Sequence, residues 1–213
     1  MDRSRVALII PAFNEEGAIQ SVIKNVIGFG RLIVVDDGST DKTAKYAKQE
    51  GAWVISHQKN LGYEAALNSG FHLANQWDID YVITLDGDGQ HNSHEIPKVV
   101  NELMRGVDLV VCGRQKTQRI SEKIFSIISL FLYKIKDPLS GFKGYKISLY
   151  RERGIFDINK SVGTELLFWA LKNGYLVNEM IIDTKKRNGE SRFGGGLKAN
   201  LRIIRAMKNI WLI

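Results

Sequence analysis

Apolar and polar positions along this chain follow an order that predicts strands alternating with helices. The run from Val6 to Ile10 is wholly apolar and ends at Pro11, which is typical of a buried strand. After it, apolar residues recur at helical spacing from Ile19 to Ile27, and a second apolar run extends from Leu32 to Val35. This order of strand, helix and strand predicts a β-α-β unit.

The same alternation continues to the end of the chain. Further strands are predicted at Trp53 to Ser56, Tyr81 to Leu85, Val107 to Cys112 and Leu176 to Ile182, with a turn and strand within 137–147. Helical periodicity marks the segments ending near Gln49 and Trp77, and those at Ile96 to Met104, Ile124 to Tyr133 and Glu165 to Asn173. The pattern therefore predicts a single α/β domain over residues 1–213, with a mostly parallel, doubly wound sheet that binds ligands at the carboxyl ends of its strands.

The composition is that of a globular protein, and it indicates the cellular compartment in which the protein is expected. Of 213 residues, 44% are hydrophobic and 25% are charged, which is enough to bury one core. The single cysteine, Cys112, excludes a disulfide framework and a cysteine-rich zinc site. No apolar run reaches the roughly 18 residues that a membrane span requires, and the first one is too short for a signal peptide. We therefore expect a cytoplasmic chain that is not integral to a membrane.

The whole chain has a formal net charge of +7, and this charge is distributed unevenly over its two halves. Residues 1–110 contain 10 Lys and Arg against 15 Asp and Glu, whereas residues 111–213 contain 20 against 8. The basic second half is suited to a phosphorylated substrate, an anionic membrane or nucleic acid. Because no basic motif with interleaved aromatic residues is present, we expect no nucleic acid partner.

Two carboxylates follow the predicted strand at Tyr81 to Leu85, where the sequence continues as DGDGQH. The glycines allow a sharp turn, and Asp86, Asp88 and Gln90 offer the hard oxygen ligands that divalent cations prefer. A cation held there would bind a phosphate ester. The alternative is a tight turn whose aspartates only cap the next helix.

Polar loops also follow the first two strands, with the sequences PAFNEE and DDGSTD. Since the carboxyl ends of parallel strands meet at one edge of a sheet, these loops and DGDGQH should converge on one crevice. Several well-known binding and catalytic motifs are excluded because their consensus sequences are absent. No dinucleotide-binding G-x-G-x-x-G, Walker A or G-x-S-x-G sequence occurs, and an EF-hand would require Gly and Glu where this chain has His91 and Pro97.

Four motifs occur in a fixed order: PAFNEE, DDGSTD, NLGYEAALNSGF and DGDGQH. Together they resemble the family 2 glycosyltransferases, over nearly the whole chain. The resemblance implies the GT-A fold, a single Rossmann-like, doubly wound sheet flanked by helices. Residues 1–112 would form its nucleotide-sugar-binding half and residues 113–213 its acceptor-binding half. The later motifs DPLSGFKGYK, TELLFWALKNGY and RNGESRFGG look like the branch that glycosylates polyprenyl phosphates, the dolichyl-phosphate mannose and glucose synthases.

The resemblance implies roles for the residues of the donor half. The nucleotide-binding residues would be Pro11, Ala12, Asn14 and Glu15 around the base and ribose, Asp37 at the base, and Asp86 at the diphosphate. Asp86 and Asp88, with Gln90 nearby, would bind Mg²⁺ or Mn²⁺ on that diphosphate, and Asp88 is also a catalytic candidate. The spelling DGDGQH looks more like relatives that use UDP-sugars than those that use GDP-mannose.

In the acceptor half, the implied partner is dolichyl or polyprenyl phosphate, whose anionic oxygen requires cations rather than a strong base. Guanidinium groups bind phosphate oxygens bidentately. The acceptor-phosphate candidates are Arg114, Arg187 and Arg192, together with Arg119 and Ser121, which correspond to an arginine and a serine ahead of the branch's apolar helix.

Asp137 and Arg114 are the catalytic candidates of the acceptor half. Asp137 matches the Asp-x-x-Ser-Gly-Phe element of the branch and faces the site by resemblance. Its alternative role is to cap a turn.

Two segments of the second half suggest attachment to a membrane surface. The apolar run from Ile124 to Tyr133 is flanked by lysines, and it predicts either a buried helix or a helix lying in the headgroup region. The last helix is basic and amphipathic. Its basic face contains Lys198, Arg202 and Arg205, and its apolar face contains Leu197, Leu201, Ile204, Met207 and Trp211. These patterns predict a peripheral protein at the cytoplasmic face of a membrane.

The leading hypothesis is therefore an inverting, metal-dependent glycosyltransferase that moves a hexose from a UDP- or GDP-sugar to dolichyl or polyprenyl phosphate. Two alternatives stay open. One is the same transfer to a soluble or glycan acceptor. The other is a nucleotide-binding or nucleic-acid-binding module without catalysis, which only the basic charge of the second half supports.

Overall fold

The computed structural model describes residues 2–89, 92–114, 120–183 and 196–209. Within these ranges the chain forms seven strands and eight α-helices. The strands are β1 (Val6–Ala12), β2 (Arg31–Asp36), β3 (Trp53–Ser56), β4 (Tyr81–Thr84), β5 (Leu109–Arg114), β6 (Lys143–Lys146) and β7 (Val177–Ile182). The helices are α1 (Ile19–Val26), α2 (Thr43–Gln49), α3 (Tyr63–Asn75), α4 (Ile96–Met104), α5 (Ile120–Tyr133), α6 (Ile147–Arg153), α7 (Glu165–Lys172) and α8 (Gly196–Asn209).

All seven strands form one sheet in the order β3-β2-β1-β4-β6-β5-β7. β6 is antiparallel to β4 and β5, and every other pairing is parallel. The chain runs outward from β1 to β3 and then returns to add β4 on the other side of β1. The predicted fold class, a doubly wound and mostly parallel α/β sheet, is confirmed. As a result, the carboxyl ends of β1, β2, β4 and β5 lie at one edge of the sheet.

The core is divided by the sheet into two apolar layers, as the alternation of side chains along a strand requires. On β1, Val6, Leu8 and Ile10 face α1 and α4, whereas Ala7 and Ile9 face α3, α6 and α7. All five are fully buried. Helices therefore cover both faces of the sheet, which leaves its edges and strand ends for the loops.

The structure differs from the sequence-based prediction at two elements. α6 was not predicted, because its seven residues contain only three buried side chains, too few for a helical period to stand out. The predicted turn and strand within 137–147 is present as β6, whose antiparallel direction the sequence does not reveal.

A third apolar cluster lies between α5, α7 and α8. Phe125 stacks on Phe168 with ring centroids 5.9 Å apart, and Ile203 and Ala206 pack against them. The contact of α8 with α5 is made by the stripe of the helix that contains Ile203 and Ala206. Leu201 and Ile204, two residues of the predicted apolar face of α8, are exposed. Trp211, predicted on the same face, lies outside the described residues.

Candidate active site

The loops that follow β1 and β2 are joined by hydrogen bonds. The N–H of Asn14 donates to Ser39 Oγ at 2.8 Å, and Asn14 Oδ1 accepts from the N–H of Thr40 at 2.8 Å. The N–H of Glu15 donates to Thr43 Oγ1 at 2.7 Å. Asn14 has a φ of 53°, a left-handed conformation that asparagine tolerates better than most residues. The first two polar loops thus form one hydrogen-bonded unit, as their predicted convergence requires.

The end of β1 also contacts the turn that carries the paired aspartates. Pro11 and Ala12 are its last two residues. A Cβ on Gly87 would lie 3.3 Å from the carbonyl oxygen of Pro11 and 3.6 Å from Glu15 Cγ. This close approach of backbones brings the predicted nucleotide-binding residues of the first loop beside the Asp-Gly-Asp turn.

The carboxylate of Asp37, which is only 4% exposed, holds the loop that follows β3. It accepts the N–H groups of Leu61 at 2.9 Å and Gly62 at 2.8 Å, and it lies 2.7 Å from His57 Nδ1. His57 Nε2 lies 2.9 Å from Ser69 Oγ. His57 could not be singled out from the sequence, because a single histidine after a strand forms no recognisable pattern. The predicted contact of Asp37 with a nucleotide base stays a prediction.

Asp86 lies between the loop preceding β6 and the start of α3. A Cβ on Gly141 would overlap the Asp86 carboxylate, so glycine is required at this close approach. On the other side, the Tyr63 hydroxyl donates to Asp86 Oδ1 at 3.5 Å. Burial, reinforced by this carboxylate, raises the pKa of Tyr63 well above its ordinary value, so the hydroxyl remains a donor. Neither Tyr63 nor Gly141 was singled out from the sequence, although both lie within its motifs.

Asp86 and Asp88 are the described members of the predicted metal site, since Gln90 lies outside the described residues. In the part of the chain that the structure describes, no three acidic, histidine or cysteine side chains converge into a complete site. Two carboxylates nevertheless fit Mg²⁺ or Mn²⁺ when phosphate oxygens of a substrate supply further ligands. The room left by Gly141 for the Asp86 carboxylate agrees with that use.

A charged pair stands at the end of β5. Asp137 Oδ2 accepts from the backbone N–H of Arg114 at 2.9 Å and from its Nε at 2.8 Å, and Oδ1 accepts from Nη2 at 3.0 Å. Nη2 also lies 3.5 Å from Glu122 Oε2 on α5. Although burial opposes the charge, the two carboxylates raise the pKa of Arg114, so the guanidinium is always charged.

This geometry separates the two roles considered for Asp137. Its own turn is closed by a backbone hydrogen bond from the N–H of Ser140 to the Asp137 carbonyl, at 3.2 Å. The carboxylate itself, 2% exposed, binds Arg114. The Asp137 carboxylate thus forms an ion pair with Arg114, and its catalytic role stays a prediction.

A buried lysine, which the sequence analysis missed, lies behind this pair. The ammonium of Lys143 donates to the carbonyls of Ser140 and, at 3.5 Å, Gly163. Burial lowers the pKa of Lys143 to about 8, although Asp137 and Asp86 favour its charged form. Lys143 is only 2% exposed, because the face of β6 that it occupies is covered.

Replacement of Lys143 by Met is expected to remove a pH-dependent part of stability. Because the folded pKa of about 8 lies below the ordinary 10.5, the unfolded chain binds more protons between these pH values. The wild-type free energy of unfolding should therefore rise relative to Lys143→Met as pH increases from 8 to 10.5, with a slope of up to about 1.4 kcal/mol per pH unit. Denaturant unfolding at several pH values measures this difference, and the partly exposed Lys146→Met is the control. A difference that is constant with pH would contradict the assignment.

The loop between α6 and α7 has an unusual conformation beside Lys143. Val162 has a φ of 56°, which is rare for a β-branched residue. Glu165, 1% exposed, accepts the N–H groups of Ile158 at 2.9 Å and Asn159 at 2.8 Å, and it pairs with Arg153. Glu165 therefore shapes the loop from within the fold.

The remaining predicted acceptor residues are only partly described. Ser121 is buried, and its hydroxyl lies 2.5 Å from Asn200 Oδ1, which joins α5 to α8. Its assignment to a phosphate stays a prediction. The other assigned residues, Arg119, Arg187 and Arg192, lie outside the described residues.

Exposed apolar and basic side chains occur on α5, directly after α5 and on α8, and we call this set of residues the apolar-basic face. Phe131 is 80% exposed and Ile127 is 66% exposed. A purely buried α5 is therefore excluded, although Phe125 on its opposite side is in the core. The apolar-basic face consists of Ile124, Ile127, Leu130, Phe131 and Leu132 with Lys123, Lys134 and Lys136, and of Leu201 and Ile204 with Arg205 and Lys208. Among the described helices, none has the length and hydrophobicity required to cross a membrane.

Known proteins with similar sequences agree on one family. The family model described as Glycosyl transferase family 2 matches residues 7–156. An uncharacterized protein of Methanocaldococcus jannaschii is 31% identical over an alignment of 202 residues, and the match covers 86% of this chain and 83% of the relative. The UDP-N-acetylglucosamine–dolichyl-phosphate N-acetylglucosaminyltransferase of Methanococcus voltae is 27% identical over an alignment of 213 residues, and the match covers 84% of this chain and 85% of the relative.

A similar fold occurs in the crystal structure of glucosyl-3-phosphoglycerate synthase from Mycobacterium tuberculosis in complex with Mn²⁺ and UDP-glucose. The TM-score is 0.77 at 23% sequence identity, and the match covers 100% of this chain and 80% of that one. At this identity the likeness establishes a common fold. The arrangement of strands and helices thus belongs to an architecture found in other proteins.

Proposed function

Because the chain belongs to glycosyl transferase family 2 and has the GT-A fold, we propose that it transfers a hexose, with inversion, from a UDP- or GDP-sugar to dolichyl or polyprenyl phosphate. The Methanococcus voltae relative, whose name specifies a dolichyl-phosphate acceptor, supports this class of acceptor. The observation that carries the proposal is the contact between Glu122 and Arg114, through which α5 connects the charged end of the sheet to the apolar-basic face. A lipid phosphate likewise combines a charged phosphate, suited to the end of the sheet, with an apolar chain, suited to the apolar-basic face.

The proposed donor site uses the loops of residues 1–112. The hydrogen-bonded unit formed by the first two loops supports a role in holding the nucleoside, with Pro11, Ala12, Asn14, Glu15 and Asp37 as its predicted contacts. Asp86 and Asp88 would hold Mg²⁺ or Mn²⁺, which when bound neutralises charge on the departing diphosphate. Tyr63 and Gly141 fix the position of the Asp86 carboxylate. In this proposal, Tyr63 and Gly141 hold the Asp86 carboxylate in place for the cation.

The proposed acceptor site uses residues 113–213. A phosphate monoester is anionic near neutral pH, so its oxygen attacks the sugar without losing a proton to a strong base. It requires instead a cation held in a fixed direction. Arg114 is charged, and its Nε and Nη2 are directed by Asp137. This pairing supports a role for Arg114 at the acceptor phosphate, with Asp137 as the residue that orients it.

The apolar-basic face is the proposed contact with an anionic membrane surface. Exposed apolar side chains enter the headgroup region, and surrounding lysines and arginines are attracted to anionic lipids. Phe131→Glu removes the most exposed apolar group and introduces a repulsive charge. We expect this variant to bind vesicles of anionic phospholipid about tenfold more weakly than the wild type, in a co-sedimentation assay.

Trp53→Glu is the matched control for this experiment. Trp53 is also an exposed aromatic residue, 59% accessible, but it lies on β3 at the opposite edge of the sheet from β7. Its substitution should leave vesicle binding within about twofold of the wild type. Equal losses for the two variants, or unchanged binding of Phe131→Glu, would contradict the assignment of the face.

A soluble phosphorylated acceptor is the second candidate, and the fold shared with glucosyl-3-phosphoglycerate synthase favours it. The direct test is transfer of labelled sugar from UDP-glucose, UDP-N-acetylglucosamine and GDP-mannose, each with Mg²⁺ or Mn²⁺, to polyprenyl phosphate in vesicles or to 3-phosphoglycerate. We expect an organic-soluble, phosphate-linked product. Label found only on the soluble acceptor would replace the lipid proposal with the second candidate.

A further inference from the structure

Glu179 is an acidic residue of β7 that neither the sequence motifs nor the proposed reaction uses. β7 pairs in parallel with β5, and Glu179 stands opposite Val111 in that pairing. Its half-buried side chain lies over the backbone of Gly113, where a Cβ would be 2.8 Å from Glu179 Oε1 and 3.3 Å from its Cδ. A side chain at position 113 would therefore displace the Glu179 carboxylate.

Both oxygens of Glu179 are used to hold the segment that carries Asp137. Oε2 accepts the N–H of Lys136 at 2.9 Å, and Oε1 accepts the N–H of Asp137 at 2.7 Å. Two N–H groups on one carboxylate fix both the position and the direction of a short backbone segment. Glu179 thereby determines where the Asp137 side chain starts.

The Asp137 carboxylate in turn holds Arg114, because it accepts hydrogen bonds from the backbone N–H, Nε and Nη2 of that residue. The contacts thus run from the edge strand through a loop to the guanidinium at the end of β5. We propose that Glu179 is a positioning residue, which sets the direction of Arg114 through Asp137, and that Gly113 is required because it leaves room for the Glu179 carboxylate. This inference rests on the proposed function, in which Arg114 contacts the acceptor phosphate.

The test combines Glu179→Ala, Glu179→Gln, Gly113→Ala and the double variant Gly113→Ala/Glu179→Ala. A misplaced Arg114 should raise the KM for polyprenyl phosphate roughly tenfold to a hundredfold in Glu179→Ala. Affinity for the donor nucleotide, measured by calorimetry, should stay within about twofold, which a general loss of structure would not permit. Glu179→Gln keeps one acceptor oxygen and should recover part of the loss. Asn178→Ala, an exposed neighbour on β7, is the control and should match the wild type.

The double variant tests the contact itself. Gly113→Ala should reproduce much of the effect of Glu179→Ala, and the double variant should be no worse than Glu179→Ala alone, because both substitutions remove the same contact. Unfolding free energies should show the same lack of additivity, which tests the contact even if the wild type transfers no sugar to lipid phosphate. Absence of lipid transfer by the wild type would sink the proposed function only. Additive unfolding energies, or an unchanged acceptor KM in an active Glu179→Ala, would overturn the positioning role.

Discussion

Asp88→Asn is expected to lower sugar transfer roughly a thousandfold, because it removes a charged ligand from the proposed cation site. An amide keeps the size of the side chain but loses the negative charge that holds Mg²⁺ or Mn²⁺ on the diphosphate. Asp88 is only partly buried, so the free energy of unfolding should change little. Initial rates at saturating donor measure the loss of transfer. Calorimetric titration of the nucleotide with and without Mn²⁺ measures the loss of cation binding.

The control for this charge removal is Asp78→Asn. Asp78 is 88% exposed and pairs with Arg5 at the end of the sheet opposite to the site, so its loss should leave transfer and metal dependence unchanged. An Asp88→Asn variant that retains full activity would show that the Asp-Gly-Asp turn is a scaffold rather than a cation site.

Gly141→Ala is expected to lower transfer about a hundredfold without removing any charged or polar group. The new methyl group would overlap the Asp86 carboxylate, which must rotate away from its place beside Tyr63. Because a carboxylate at the end of a short side chain moves readily, the unfolding free energy should fall by no more than about 1 kcal/mol. The expected signature is therefore a large loss of activity and of metal-dependent nucleotide affinity in a folded protein.

Gly28→Ala provides the matched control for the added methyl group. No heavy atom beyond its chain neighbours lies within 4 Å of a Cβ built at Gly28, and this glycine does not have a left-handed φ. Its activity should equal that of the wild type. If Gly141→Ala were as active as Gly28→Ala, the position of Asp86 against Gly141 would be irrelevant to function.

The fold was accessible from the sequence because its main signals are local. Apolar runs such as Val6 to Ile10 mark the strands, and the polar loops that follow such runs mark where the strands end. Because the strands are mostly parallel, these loops lie together at the carboxyl ends of the strands. The direction of β6 was not accessible, since side chains alternate in the same way along parallel and antiparallel strands. The buried stripe of α8 was not accessible either, because packing on Phe125, rather than helical period alone, decides which side chains of the helix are covered.

The candidate site was predictable where residues carry an ordered motif and was missed where a contact crosses elements. Asp86, Asp88 and Asp137 stood out because acidic residues follow strands or turns in a recognisable order. Lys143 and Glu179 did not stand out, since the sequence does not distinguish a buried or hydrogen-bonded charged residue from an exposed one. Only the tertiary structure reveals that one donates to Ser140 and Gly163 and that the other holds the backbone of Asp137.

The central claim is that the loops at the ends of β1, β2 and β4 form a metal-assisted nucleotide-sugar site. The most direct measurement is calorimetric titration of UDP and GDP, each with and without Mn²⁺, into the wild-type chain. The account predicts that one of the two nucleotides binds and that Mn²⁺ strengthens its binding. Failure of both nucleotides to bind under any of these conditions would contradict it, and would favour a module without donor chemistry.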